Sequence, residues 1–324
     1  MKEYVIGAND AGQRLDKFIR KAFPLMPPSE MYKAIRKKDI KINGRRAEIS
    51  QMLCEGDVLR LFVKDEFLLR ERSDFFKSIT PVFGVIYEDE NIIICDKPAG
   101  LLCHSDEAGE QNTLIEQVKA YLWKKGEYDP ESENSFAPAL CNRIDRNTAG
   151  LVVAAKNAEA LRVMNEKIKE RKVSKYYLCL AHGKFEKSSD TLEGFIYKDK
   201  STNTVSVSRV PQKGHEKEAV RAVTKYRVIG YDGHDSVLEV ELVTGRTHQI
   251  RAQMAAIGHP LVGEGKYAEN KSDRKRGFYH QALYSYKIVF GNADDGALSY
   301  LNGREFFVDP EKIDFIKGRK NVFL

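Results

Sequence analysis

Three short segments concentrate the side chains that do nucleophilic and acid–base chemistry. The first, Cys141-Asn-Arg-Ile-Asp-Arg-Asn-Thr-Ala-Gly150, sets one carboxylate, Asp145, between Arg143 and Arg146, just before an apolar run, Leu151-Val-Val-Ala-Ala155. Neighbouring positive charge favours the ionised form of an acid, so an aspartate in this setting is a good nucleophile and a poor proton donor. In the second, Val173-Ser-Lys-Tyr-Tyr-Leu-Cys-Leu-Ala-His-Gly183, strand alternation puts Lys175 and Tyr177 on one face with Val173 and Cys179. The third, Thr244-Gly-Arg-Thr-His-Gln-Ile-Arg251, follows a strand in which Leu238, Val240 and Leu242 alternate with Glu239 and Glu241. It runs into a helix that buries Ile250, Met254 and Ile257 and stops at Gly258. Arg251 then sits in the first helical turn, about 100° round from the buried stripe, where it can reach another segment. Taken singly, each feature has an ordinary explanation: an exposed ion pair, a core tyrosine with its hydroxyl at the rim, a solvated arginine. Together they point to a site.

The elements that must position these residues fit two domains, since 324 residues exceed the roughly 100–200 typical of one domain. Residues 1–66 read as a small α+β unit. Leu15, Phe18, Ile19 and Phe23 fall at helical spacing; Pro27-Pro28-Ser29 then stops one helix and starts another, with Ser29 as the expected N-cap. In the second helix Met31, Ala34 and Ile35 face inward while Lys33, Arg36 and Lys37 share the opposite face. Asn43-Gly44 marks a hairpin turn, and Val58–Val63 closes the unit as a strand. A charged, mixed stretch, 67–80, reads as a linker. Residues 81–324 make the larger domain. There, the strands Val85–Asp89, Asn91–Asp96 and Leu151–Ala155 and the amphipathic helix Ala158–Lys172 show no regular βα alternation. The expected class is α+β, a mixed, largely antiparallel sheet flanked by helices. Residues 187–218 are polar and turn-rich, which suits a surface loop or hairpin.

Composition narrows the function. There is no run of eighteen apolar residues to span a membrane, and Met1-Lys-Glu-Tyr-Val has no apolar signal core. Five scattered cysteines without a Cys-x-x-Cys pair argue against a disulfide framework or thiolate zinc site and suit a reducing cytoplasm. No dinucleotide or Walker phosphate loop is present, so no metal or cofactor is expected. The net charge of +6 is mild, but seven Lys/Arg against three acids cluster between Glu30 and Glu48, the footprint of a phosphate-binding surface.

Arg14-Leu15-Asp16-Lys17 opening the first helix, with Lys41-Ile42-Asn43-Gly44 after the second, resembles the small S-four RNA-binding domain. The larger domain resembles the RluA-type family of RNA pseudouridine synthases. That family's His-Arg-Leu-Asp-Arg-x-Thr-Ser-Gly segment corresponds to Asn142–Gly150, its Lys-x-Tyr to Lys175–Tyr177, and its Gly-Arg-Thr-His-Gln-Ile-Arg to Gly245–Arg251. His259-Pro260-Leu261 and the upstream Lys97-Pro98-x-Gly100 fit too. Asn142 stands in place of the usual His, Ile144 of Leu, and Glu264 of the Asp that usually follows Gly263; none is expected to touch the catalytic carboxylate.

The resemblance implies an isomerase that converts uridines to pseudouridine in structured RNA, large-subunit (23S) ribosomal RNA foremost, with transfer RNA as the alternative substrate. It implies Asp145 as the catalytic nucleophile, Arg251 as its ion-pair partner and Tyr177 against the uracil. Arg143, Arg146, Arg246 and His248 are then candidates for RNA contact near the flipped base, and Lys33, Arg36 and Lys37 for distant grip. A non-catalytic RNA-binding ribosome-assembly factor with the same fold is the reading from a different class.

Overall fold

The computed structural model describes residues 1–69, 74–199, 201–211, 213, 218–292 and 296–319. Parts of the expected linker (70–73), of the 187–218 segment and of the C-terminus (320–324) therefore lie outside the described residues.

The N-terminal unit is built from β1 (Lys2–Val5), α1 (Leu15–Ala22), α2 (Pro28–Lys37), β2 (Ile40–Ile42), β3 (Arg45–Arg46) and β4 (Val58–Leu61), with the sheet order β1-β4-β2-β3. Leu15, Phe18, Ile19, Met31, Ala34 and Ile35, the apolar stripes of the two helices, close over that sheet in a core of their own. Ser29 is not the N-cap. Pro27 occupies that position and Pro28 opens α2, because the fixed φ of proline suits a first helical residue whose N–H has no intrahelical partner anyway. Lys33, Arg36 and Lys37 lie exposed on the outer face of α2, with Lys33 held by Glu30 at 3.1 Å.

The expected linker is not free chain at its ends. Phe67 and Leu68 pack into the N-terminal core, and Phe76 and Ile79 pack with Ala120 of the larger domain. Apolar side chains in a charged run found cores to join.

The larger domain contains β5 (Gly84–Glu88), β6 (Ile92–Lys97), α3 (Leu114–Lys124), β7 (Ala139–Leu140), β8 (Ala149–Ala155), α4 (Ala158–Lys169), β9 (Val173–His182), β10 (Ser189–Asp199), β11 (Thr204–Ser208), β12 (Val220–Tyr231), β13 (Asp235–Leu242), α5 (Gln249–Ala256), α6 (Lys271–Lys275), β14 (Leu283–Phe290) and β15 (Glu305–Phe307). They form an eleven-stranded sheet ordered β11-β10-β12-β13-β9-β14-β8-β6-β5, with β15 on β14 and β7 on β8. Among the described residues only β8 and β14 run parallel. The sheet is thus mixed and largely antiparallel, and it is covered on both faces. Alternate residues of β8 feed opposite cores: Leu151 and Val153 join Met164 of α4 on one side, while Val152 and Ala154 join Val118 of α3 and Met254 of α5 on the other. The 187–218 stretch holds the β10–β11 hairpin, one of its two expected forms, and β10 is also a full strand of the sheet paired along β12.

A polar seam joins the two units. Asp10, almost fully buried, accepts hydrogen bonds from Asn134 Nδ2 (2.8 Å), Ser135 N (3.1 Å) and Ser135 Oγ (2.6 Å). Asn9 accepts from the amide of Ala158 at the start of α4, and Arg162 donates to the Ala11 carbonyl.

Candidate active site

Asp145 lies in the turn between β7 and β8, where the Thr148 amide donates to the Asp145 carbonyl at 3.1 Å. The turn is pinned from below by Lys97, the last residue of β6. Its fully buried ammonium donates to the carbonyls of Pro98 (2.9 Å), Leu101 (2.7 Å) and Arg146 (3.0 Å). Burial lowers the Lys97 pKa to about 8, against smaller upward pulls from Cys103 and from the carboxylates of Asp145 and Asp96. Sequence analysis assigns this lysine no role beyond a motif position. Its signal, a lysine closing a strand that is apolar from Ile92 to Cys95, is visible only once the strand is known to be central.

The neighbours expected to bracket Asp145 diverge. Arg143 is exposed and lines the cleft around the carboxylate. The Arg146 guanidinium turns to the Gly100 carbonyl at 3.1 Å and lines a separate depression. The cation that touches Asp145 comes from α5, 106 residues along the chain: Arg251 Nη1 donates to Asp145 Oδ2 at 2.9 Å. No hydrogen bond from the described residues reaches Asp145 Oδ1, and the side chain is 26% exposed.

Arg251 is itself gripped from behind. Glu264, fully buried, takes Arg251 Nε at 2.7 Å and Nη2 at 2.9 Å, the two-pronged geometry of a guanidinium–carboxylate fork. Burial alone would raise the Glu264 pKa, but the Arg251 fork outweighs it and holds the carboxyl below its ordinary range. Glu264 does not touch Asp145, in line with expectation, yet it acts on it through Arg251. That link was missed, because nothing in the sequence ties a loop residue to the helix before it. Tyr267 was missed as well. Its ring faces the Arg251 guanidinium at 5.6 Å, and its hydroxyl lies 2.7 Å from His248 Nδ1.

His248 caps α5 in a left-handed conformation (φ 51°), with Nε2 at 3.9 Å from Asp145 Oδ2. Burial lowers its pKa, which favours the neutral ring. Gln249 ties this loop to the sheet, accepting from the Arg246 amide and the Thr244 hydroxyl and donating to Val223 O and Thr224 Oγ1. Tyr177, at the centre of β9, is almost fully buried and hydrogen-bonds Ser285 of β14; burial pushes its phenol well above the ordinary range, so it stays protonated. Asn142 accepts the Val153 amide through Oδ1, while its buried Nδ2 has no hydrogen-bond partner.

The structure therefore brings Asp145, Tyr177, Arg251, Arg143, Arg246 and His248 to the walls of one cleft of about 660 Å³. Lys33, Arg36 and Lys37 sit apart on the N-terminal unit. Six cations line the cleft (Arg143, Lys169, Arg171, Lys175, Arg246, Arg251) against a single carboxylate, Asp145, among the described residues. Its volume falls within the ~300–1,000 Å³ of typical ligand pockets. A surplus of cations around one carboxylate is suited to a polyanion presenting a single reactive unit.

The family model for RNA pseudouridylate synthase matches residues 91–256, just over half of the chain, and spans both Asp145 and Arg251. The chain belongs to the RNA pseudouridylate synthase family. Residues 13–59 match the S4 domain. An uncharacterized RNA pseudouridine synthase of Mycoplasma capricolum is 29% identical over 317 residues, 97% of this chain and 99% of that protein. The ribosomal large subunit pseudouridine synthase C of Escherichia coli K12 is 29% identical over 281 residues, 85% of this chain and 82% of that one. Among solved structures, human RNA pseudouridylate synthase domain containing 1 shares the fold, with a TM-score of 0.58 at 20% identity over 75% of this chain and 91% of that one. The synthase is thus an isomerase acting on uridine in RNA, and the assembly-factor reading falls away. No helix among its described residues is long and apolar enough to cross a membrane.

One cluster of metal-ligand type occurs among the described residues: His182, His234 and Asp235. It does not line the cleft, and its polar atoms are engaged with one another, with Asp273 and with Arg276.

Proposed function

We propose that the synthase isomerises specific uridines of large-subunit (23S) ribosomal RNA, with Asp145 as the nucleophile. The observation that carries this reading is the Asp145–Arg251–Glu264 array at the floor of a cation-lined cleft. The relatives named for the large ribosomal subunit favour ribosomal over transfer RNA, and a ribosomal substrate places the enzyme in the cytoplasm.

Isomerisation breaks the bond from ribose C1′ to N1, turns the uracil, joins C1′ to C5, removes the C5 proton and leaves a proton on N1. Arg251 holds and orients Asp145 through Oδ2, leaving Oδ1 open to the reacting nucleoside. Tyr177 lies against the uracil, where ring stacking contributes ~1–3 kcal/mol. Taking a base out of folded RNA costs a few kcal/mol. Arg143, Arg246 and His248 at the cleft wall, and Arg146 outside it, hold the opened RNA. Lys33, Arg36 and Lys37 add sequence-independent grip at a distance.

Two measurements test this. Tritium release from carbon-5-labelled ribosomal RNA is expected from the native enzyme and not from Asp145→Asn. Pseudouridine mapping in a deletion strain is expected to lose defined sites in large-subunit RNA; loss confined to transfer RNA would overturn the substrate assignment.

A further inference from the structure

Among the described residues of this domain, Lys97 donates to three carbonyls, Lys167 to Asn302 Oδ1 at 3.0 Å, and Lys156 pairs with Glu88 at 3.0 Å and with Glu127. Lys175, half-buried at the cleft wall, has no such partner. It lies on the cleft-facing side of β9, burial lowers its pKa, and no hydrogen bond or ion pair from the described residues reaches its ammonium. A desolvated, unpaired cation is costly, so its retention calls for an anion that arrives from outside.

Ile168, Lys169, Arg171 and Val173 line the same cleft as Lys175. Arg171 ends the turn from α4 into β9 with φ at 60°, a left-handed position that glycine normally fills after a helix. A non-glycine residue there carries a backbone cost, and its guanidinium lines the cleft. Lys175 is two residues from Tyr177, one full strand repeat of roughly 7 Å. That spacing is comparable to the separation between a nucleobase and the phosphate flanking it.

We propose that Lys175, with Lys169 and Arg171 at its rim, forms a phosphate subsite that holds the RNA backbone next to the target uridine while the base lies against Tyr177. The proposal rests on the reading of the cleft as the place of uridine isomerisation.

The test uses the full-length enzyme, Lys175→Met and Lys175→Arg, with in vitro transcribed large-subunit ribosomal RNA bound across a potassium chloride series. Lys175→Met is expected to weaken binding about tenfold and to lower the slope of log affinity against log salt by roughly 0.7–0.9, the loss of one phosphate contact. Lys175→Arg is expected to restore most of both. Single-turnover tritium release at saturating RNA should stay within about threefold for Lys175→Met, since a phosphate contact sets binding rather than chemistry. Its melting temperature should hold or rise, because the substitution removes an unpaired buried charge.

An unchanged affinity and slope would overturn the proposal. A rate lost at saturating RNA with affinity intact would overturn it too, by placing Lys175 on the reacting nucleoside, and a fall in melting temperature would make it a structural cation. If the native enzyme leaves ribosomal RNA unmodified, the substrate assignment fails by itself, while the salt slopes still report on the subsite.

Discussion

At the scale of single residues, the site is a chain of three charges whose far end controls the near one. Glu264 fixes the Arg251 fork, and Arg251 fixes Asp145 Oδ2. Breaking a buried ion pair by removing one partner costs about 3–5 kcal/mol, and a displacement of about 1 Å near a reacting group can cost a hundredfold in rate. Glu264→Gln should therefore lower single-turnover tritium release by roughly 10–100-fold while RNA affinity stays within about threefold. Loss of affinity at an unchanged rate would show that Glu264 does not act through Asp145. Lys97 offers a check by pH. Its pKa is about 8 in the folded chain and near 10.4 unfolded, so between those values the unfolded state binds more protons. Stability from this group therefore rises with pH across that window, by up to about 1.4 kcal/mol per pH unit. Lys97→Met should lose that rise. It should also be less stable at neutral pH by about 2–4 kcal/mol, since buried carbonyls lose their donor. Urea midpoints at pH 7 and pH 9 measure both effects.

At the scale of elements, β8 and β14 matter most, because their parallel pairing lays Gly150 against Ser285. Gly150 has φ at 112°, and a Cβ there would sit 2.3 Å from the Ser285 carbonyl oxygen. Ser285 in turn holds the Tyr177 hydroxyl. Gly150→Ala should cost about 3–5 kcal/mol in a urea unfolding curve, and the folded fraction should turn over more slowly because Tyr177 shifts with β14. Full activity in the folded fraction would mean that the Tyr177 hydroxyl does not depend on that seam. Much of this level was legible beforehand. Alternation marked β9 and β13, apolar content marked β8, and helical spacing with a terminal glycine marked α5. The expectation that Arg251 could reach another segment followed from helix geometry alone. What escaped was set by tertiary contact. The pairing of Asp145 with Arg251, 106 residues away, came from the family resemblance and not from residue patterning, and nothing in the sequence marked Glu264 and Tyr267 as closing behind that helix. Helix α3 was passed over, because a segment of mixed polarity hides an element whose buried face is defined only by the sheet it joins.

At the scale of the whole molecule, the S4 unit is fastened to the catalytic domain by polar contacts rather than by a shared apolar core. Asp10 is the centre of that seam, with three hydrogen bonds from Asn134 and Ser135. Each unit keeps its own hydrophobic cluster, so loosening the seam should leave both folded. It should instead let Lys33, Arg36 and Lys37 move relative to the cleft. Two RNA-contacting surfaces held rigidly at the right separation bind as one; released, the second contact is made at a lower effective concentration. Asp10→Ala should accordingly weaken binding of large-subunit ribosomal RNA by roughly 5–30-fold. The rate at saturating RNA should not change, because the Asp145–Arg251–Glu264 array lies wholly within the larger domain. Lys33→Ala with Lys37→Ala should also weaken binding, and should lower the salt slope by the contacts removed. The two defects separate in combination. If the seam acts by positioning the basic face of α2, the triple variant should bind little worse than the lysine variant alone, since there is no longer a grip to position. Additive losses would mean that Asp10 supports RNA binding by some other route and that α2 contributes independently of how its domain is held.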